Sequence, residues 1–291
     1  MPSVAKALHN RGILLLIMTT LIWGTSFPLL KNTVSSLSPS TLVAIRFTVA
    51  AVAFAPWLRG LNAQLLRDGI LLGLIYFAES SSALIGIETI SANRSAFIIS
   101  LNVILVPLLG VLLGQRLSGK VMFAAGLAIT GIGMMSWEGG GLSQGDLLTF
   151  GAAVGIAVYI LMLETVTPRH STLPLVAIQL LVTALLGIVW ATRQLVWHVE
   201  VITSNFSTLL YLGLVVTATP IWAQAVAQRW VSAQEAALLY TLEPVFATVF
   251  SFWLLGEELS ARELVGAGLV LVATVLSQTL KSVVRCSDSE N

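Results

Sequence analysis

The sequence predicts an all-α, polytopic membrane protein of ten transmembrane helices, arranged as a 5+5 repeat of inverted topology. Three observations carry this expectation: the composition, the length of the apolar runs and an internal repeat. Of the 291 residues, 56% are hydrophobic and only 10% charged, whereas soluble domains carry about 25% charged residues. So little charge cannot cover a water-exposed surface, and the apolar runs approach the roughly 17 to 25 residues that cross a bilayer.

The first run, Ile13 to Leu30, follows Lys6 and Arg11 like a signal peptide. It is too long for one and lacks a cleavage site, so it reads as a retained span. Spans two to five lie at Thr41 to Leu58, Gly69 to Ile87, Ser95 to Gly114 and Val121 to Trp137, each bounded by a short polar connector. The stretch Glu138 to Gly145 is the most linker-like in the chain, because clustered glycines neither continue a helix nor pack. Spans six to ten then fall at Leu147 to Leu163, Leu173 to Thr192, Thr208 to Val226, Ala236 to Gly256 and Leu264 to Leu280. The division is therefore 1–137, a linker at 138–145, a second half at 146–281 and a polar tail at 282–291.

Sorting Lys and Arg by connector parity tests the span count. One class holds Lys6, Arg11, Arg59, Arg67, Arg116, Lys120, Arg169, Arg229, Lys281 and Arg285; the other holds Lys31, Arg94, Arg193 and Arg262. The positive-inside rule then places both termini in the cytoplasm. A net charge of +1 without a basic patch argues against nucleic acid as a partner. The single cysteine, Cys286, excludes a disulfide framework and a cysteine-based metal site. His9, His170 and His198 fall in connectors or tails and read as solvated residues. No P-loop or other cofactor motif occurs, so no metal, cofactor or enzymatic centre is expected.

The halves resemble each other. Leu42-Val-Ala-Ile-Arg46-Phe-Thr-Val-Ala-Ala51 aligns with Leu175-Val-Ala-Ile-Gln179-Leu-Leu-Val-Thr-Ala184. Ser91-Ala-Asn-Arg-Ser-Ala96 aligns with Ser232-Ala-Gln-Glu-Ala-Ala237, and Leu112 to Ser118 with Leu254 to Ser260. An odd number of spans per half inserts the second copy upside down, an arrangement that suits alternating access.

Charged groups within spans cost about 2.5 to 3.5 kcal/mol at the bilayer centre and should face a cavity. Arg46, Glu79 and Glu243 are the prominent ones, and Arg46 could pair with either carboxylate or with a substrate. Such carboxylates also suit a proton as coupling ion. Trp23, Asn102, Tyr159, Trp222, Gln224 and Gln228 complete the cavity candidates, with Gln224 and Gln228 spaced to share a helix face. Pro28, Pro107, Pro220 and Pro244 are expected to interrupt spans one, four, eight and nine. Trp57, Trp137, Trp190 and Trp197 sit near span ends, as interfacial tryptophans do. Small residues such as Ala124-Ala-Gly126, Gly131-Ile-Gly133 and Gly266-Ala-Gly268 mark close helix contact, within the bundle or at a homodimer face.

Trp23-Gly-Thr-Ser-Phe27 followed by Lys31, Arg46, the Ser-Ala pairs at Ser91 and Ser232, Leu242-Glu-Pro244 and Leu255-Gly-Glu-Glu-Leu-Ser260 together resemble the EamA family of the drug/metabolite transporter superfamily. Within that family the chain resembles amino-acid exporters of the YddG type. The resemblance implies two EamA-type repeats and a bacterial inner-membrane carrier that exports amino acids or similar amphipathic solutes, often with proton coupling. Gln115-Arg116 departs from the family's usual ending of that span, retaining the arginine without a glutamate. A lipid or nucleotide-sugar-like carrier, a scramblase and an intramembrane enzyme are the alternative readings.

Overall fold

The computed structural model describes residues 2–34, 36–115, 119–136, 141–192, 194, 199–255 and 260–287. Their regular structure is helical, and no strand occurs among the described residues. The first apolar run is divided into α1 (Pro2–Gly24) and α2 (Ser26–Val34), which meet at Thr25. Ser38 caps α3 (Pro39–Phe54), with proline in the first turn, where no intrahelical N–H bond is lost. Asn62 caps α4 (Ala63–Thr89) by accepting the Leu65 N–H at 2.8 Å. Next come α5 (Ala92–Ser100) and α6 (Asn102–Leu112), broken at Leu101, and α7 (Gly119–Ser136).

The second half opens with α8 (Gln144–Val166), started by a reciprocal capping box between Ser143 and Asp146. It continues with α9 (Thr172–Ala191), α10 (Val199–Ser204) and α11 (Phe206–Tyr211), then a π-helical segment, Leu212–Ala218, that leads into α12 (Thr219–Ala227). A second capping box, Ser232 with Glu235, starts α13 (Ala233–Tyr240), which breaks at Thr241 before α14 (Leu242–Leu255). The last helix is α15 (Ala261–Ser287).

Among the described residues seven helices are long and apolar enough to cross a membrane, from Val4–Gly24 to Phe206–Ala227, and Gly119–Met135 and Leu264–Leu276 are shorter apolar helices. The chain is thus a polytopic helical membrane protein. In space α4 lies against α8 and α9, α3 against α9, α7 against α15, and α1 against α12 and α14. Lipid offers no hydrophobic driving force between such helices, so close packing supplies the cohesion. The crossing of α7 and α15 shows it: a Cβ on Gly131 would sit 2.5 Å from the Gly266 carbonyl, and the converse holds. Those two small residues therefore serve a contact within the bundle.

Several expectations change. Helix α6 runs through Pro107, which is buried, and the break lies upstream at Leu101; a membrane helix tolerates an interior proline where its neighbours hold it. Helix α15 continues to Ser287, so residues 282–287 of the expected tail are helical, no glycine or proline after Gly268 being present to stop them. Helix α8 begins at Gln144, inside the expected linker, because the capping box fixes its start; residues 138–140 of that linker, like Arg116, Trp137, Trp197 and His198, lie outside the described residues. The two described histidines are bonded rather than solvated. His9 Nδ1 lies 3.0 Å from the Trp230 carbonyl and its Nε2 3.5 Å from Glu235, while His170 Nε2 lies 2.7 Å from Asp68.

Candidate functional site

A cavity of about 130 Å³ opens where the broken spans α1–α2, α5–α6 and α13–α14 meet the continuous helices α4 and α8. Breaks matter here because a helix end leaves backbone groups and side chains pointing inward that a regular helix would satisfy itself. Trp23, Arg46, Glu79, Asn102, Tyr159, Gln224 and Glu243 all line it.

Arg46 on α3 is buried at 9% exposure, and both its Nε and Nη2 donate to the Thr217 hydroxyl, at 3.1 and 3.0 Å. Among the described residues it forms no ion pair with Glu79 or Glu243, so the pairing that the sequence left open goes to neither carboxylate. Glu79 on α4 is buried and accepts the Ser80 hydroxyl at 2.8 Å. Glu243, in the first turn of α14, is half-buried on the same cavity wall as Glu79.

Aromatic rings form the rest of the wall. The Trp23 indole donates to the Val216 carbonyl at 3.1 Å, and its ring lies 5.4 Å from that of Tyr240. That carbonyl would bond to the N–H of residue 220 in a regular helix, but Pro220 has none to give. Pro220 thus frees an acceptor that the Trp23 indole of α1 takes up. Tyr76 packs edge-on against Phe47 at 5.6 Å and Tyr159 at 5.0 Å. The Tyr159 hydroxyl and the Gln179 amide bond reciprocally, at 3.3 and 3.1 Å.

Some polar atoms on this wall are left unmatched. Asn102 Nδ2 donates to the Ile99 carbonyl at 2.8 Å, yet its Oδ1 and the nearby Ser95 Oγ are buried without a partner. Gln224 Oε1 and the Tyr240 hydroxyl lie close together, outside hydrogen-bonding geometry. Buried orphans are rare in folded proteins, and a cluster on a cavity wall fits a polar ligand.

Two expected residues stay off the wall. Gln228 shares a face with Gln224 and accepts its amide at 3.3 Å, but its own Nε2 is committed to the Ile160 carbonyl at 3.0 Å. Trp222 packs against the apolar core instead. Pro220 and Pro244 each lie at the start of a helix after an irregular segment, α12 and α14 respectively, while the side chain of Pro28 lies outside the described residues. Sequence reading missed Ser26, Tyr76, Ser80, Ser95 and Tyr240 on the wall, and Thr217 and Gln179 behind it. A signal existed for two of them: Tyr76 precedes Glu79 and Tyr240 precedes Glu243 by the same three residues, the first pair on one face of α4 and the second astride the break at Thr241. Among the described residues no group of three or more His, Cys, Asp or Glu side chains is placed to hold a metal ion.

Comparison with known proteins accords with this architecture. The EamA-like transporter family matches residues 10–137 and again 143–279. An uncharacterized transporter of Archaeoglobus fulgidus is 26% identical over 90% of this chain and 83% of its own length. The uncharacterized transporter YyaM of Bacillus subtilis is 25% identical over 92% and 93%. A solved crystal structure superposes with a TM-score of 0.77 at 18% identity, covering 93% of this chain and 97% of the other, which speaks for the fold alone. With two family matches that together span nearly its whole length, the chain belongs to the EamA-like transporter family and is a membrane transporter.

Proposed function

We propose that the protein is a secondary carrier of the bacterial inner membrane that exports amino acids or similar small zwitterions by alternating access. The observation that carries this reading is the charge arrangement: one buried guanidinium, held by a neutral hydroxyl, in a cavity that also contains two carboxylates without ion pairs among the described residues. A substrate carboxylate meets Arg46, and its ammonium meets Glu79 or Glu243. The aromatic rings of Trp23, Tyr76 and Tyr240 take the apolar body. A carboxylate that must release its proton to receive an ammonium exchanges one for the other, which couples export to proton entry.

The same reading has ten spans in two inverted halves with both termini cytoplasmic. Its supports are the duplicated family match and the likeness of α5–α6 to α13–α14. Each pair is a broken span whose first helix starts at a serine cap, Ser91 in one and Ser232 in the other. Exchange of labelled amino acids across proteoliposomes tests the function. Saturable counterflow that Arg46→Gln abolishes is expected; no counterflow of any standard amino acid by the unmodified protein would refute it.

A further inference from the structure

We infer that Thr217, delivered by the π-helical segment, is a positioning residue that fixes the Arg46 guanidinium as a carboxylate receptor without neutralising it; this rests on the amino-acid reading of the cavity. A threonine hydroxyl offers one donor and two acceptor lone pairs. The Thr217 proton goes to the Leu212 carbonyl five residues earlier, at 2.7 Å, so the oxygen is left as a pure acceptor. Both remaining sites receive Arg46, through Nε at 3.1 Å and Nη2 at 3.0 Å. Every site on Thr217 Oγ1 is then filled, and its orientation is fixed from both sides.

The π geometry makes this arrangement. In an α-helix the threonine hydroxyl turns back to a carbonyl three or four residues earlier. Here the extra residue per turn moves the acceptor to five residues back. The Thr219 hydroxyl repeats the pattern on Leu214 at 3.0 Å. One added residue rotates the downstream chain by about 100°, a large change of aim for residue 217. The segment also approaches α3 closely at Gly213, where a Cβ would lie 2.6 Å from the Val49 side chain and 3.1 Å from the Arg46 carbonyl. Pro220, immediately downstream, removes the N–H that would have drawn Val216 into a regular α-turn.

The choice of a neutral anchor has a chemical consequence. An aspartate or glutamate at this place would hold the arginine equally well and cancel its charge. A hydroxyl holds two of the five N–H donors and leaves the full positive charge, with the other three, for the cavity. Binding a carboxylate then needs no competing ion pair to break and little reorganisation of the side chain.

The test compares Thr217→Val, which keeps the shape and removes the oxygen, with Thr217→Ser, which restores it. The probes are the twenty standard L-amino acids and, for each one that raises the melting temperature of the purified protein, the corresponding decarboxylated amine. Unmodified protein is expected to prefer the amino acid over its amine. Thr217→Val should raise the amino acid's apparent Kd or KM by about tenfold, the scale of a hydrogen bond to a charged group, while leaving the amine and the maximal rate within twofold. Thr217→Ser should recover the preference. Equal losses for amino acid and amine, or a Thr217→Val protein that discriminates as the unmodified one does while Arg46→Gln does not, would overturn the positioning role alone. If no amino acid binds the unmodified protein, or if Arg46→Gln discriminates normally, the amino-acid reading fails first and this inference with it.

Discussion

Replacing Glu79 by glutamine separates a transport role from a structural one, because the structure sets opposite expectations for the two. The side-chain stem packs on α8, where a Cβ on Gly155 would lie 2.7 Å from Glu79 Cβ. Glutamine keeps that stem, and its amide oxygen can still accept the Ser80 hydroxyl that now donates at 2.8 Å. Removing an ionised group from within the bilayer recovers up to about 2.5 to 3.5 kcal/mol on insertion scales, and loosening the Ser80 bond costs about 1 kcal/mol. The Glu79→Gln protein should therefore melt at or slightly above the temperature of the unmodified one. Transport should fall, since a charge-assisted bond to a substrate ammonium is worth about 1.5 to 3 kcal/mol, or roughly 10- to 100-fold in KM. Thermal unfolding in detergent and counterflow in proteoliposomes read the two quantities. Glu79→Ala, which keeps Cβ but removes the rest of the side chain and with it the acceptor of the Ser80 hydroxyl, serves as the structural control and should lose stability. Glu79→Gln transporting within twofold of the unmodified protein, or melting as low as Glu79→Ala, would refute the assignment.

Three particular contacts give further expected outcomes. Trp23→Phe keeps the stack on Tyr240 but strands the Val216 carbonyl, so it should cost about 1 kcal/mol; adding Pro220→Ala should recover part of the loss in a double-mutant cycle read by thermal unfolding. Arg94 binds Asp146 through two bonds of 2.6 and 2.9 Å and so ties α5 to α8; Arg94→Met leaves a nearly inaccessible carboxylate with its serine contacts alone and should destabilise by about 1 to 3 kcal/mol. Gly131→Ala should destabilise by about 1 to 3 kcal/mol through overpacking, whereas Gly126→Ala, with nothing within 4 Å of the added methyl, should be neutral or stabilising by up to about 1 kcal/mol. Equal melting temperatures for that glycine pair would contradict the α7–α15 crossing.

Membrane residence was legible in the sequence because it depends on sums over long windows, and the apolar runs reappear as helices with ends shifted by caps such as Ser143 and Ser232. Arg46, Glu79 and Glu243 stood out because an ionised group in lipid is expensive wherever it faces. Which face it takes was less legible, since helices that are apolar all round carry almost no amphipathic signal. Trp222 and Gln224, two residues apart, went to opposite sides for this reason, and spacing alone could not sort them. Thr217 had no signal at all. Its importance arises from a π-turn, which appears only when Arg46 and the missing N–H of Pro220 are brought together in space. The same limit applies at Leu101, where the span breaks without a proline and the Leu101 N–H and the Asn102 amide turn back to the carbonyls of Ile98 and Ile99, contacts that residue spacing does not announce.

Solvent access along α4 tests the cavity most directly. In a background carrying Cys286→Ser, single cysteines at Ala83, on the cavity wall, and at Leu74, 43% exposed on the outer surface, can be challenged with a charged, membrane-impermeant methanethiosulfonate. Rapid labelling of Ala83→Cys from water, slowed by a transported amino acid, with Leu74→Cys inert in lipid, is the predicted result. An inert Ala83→Cys, or a Leu74→Cys that reacts as fast, would contradict a solvated substrate cavity between these helices.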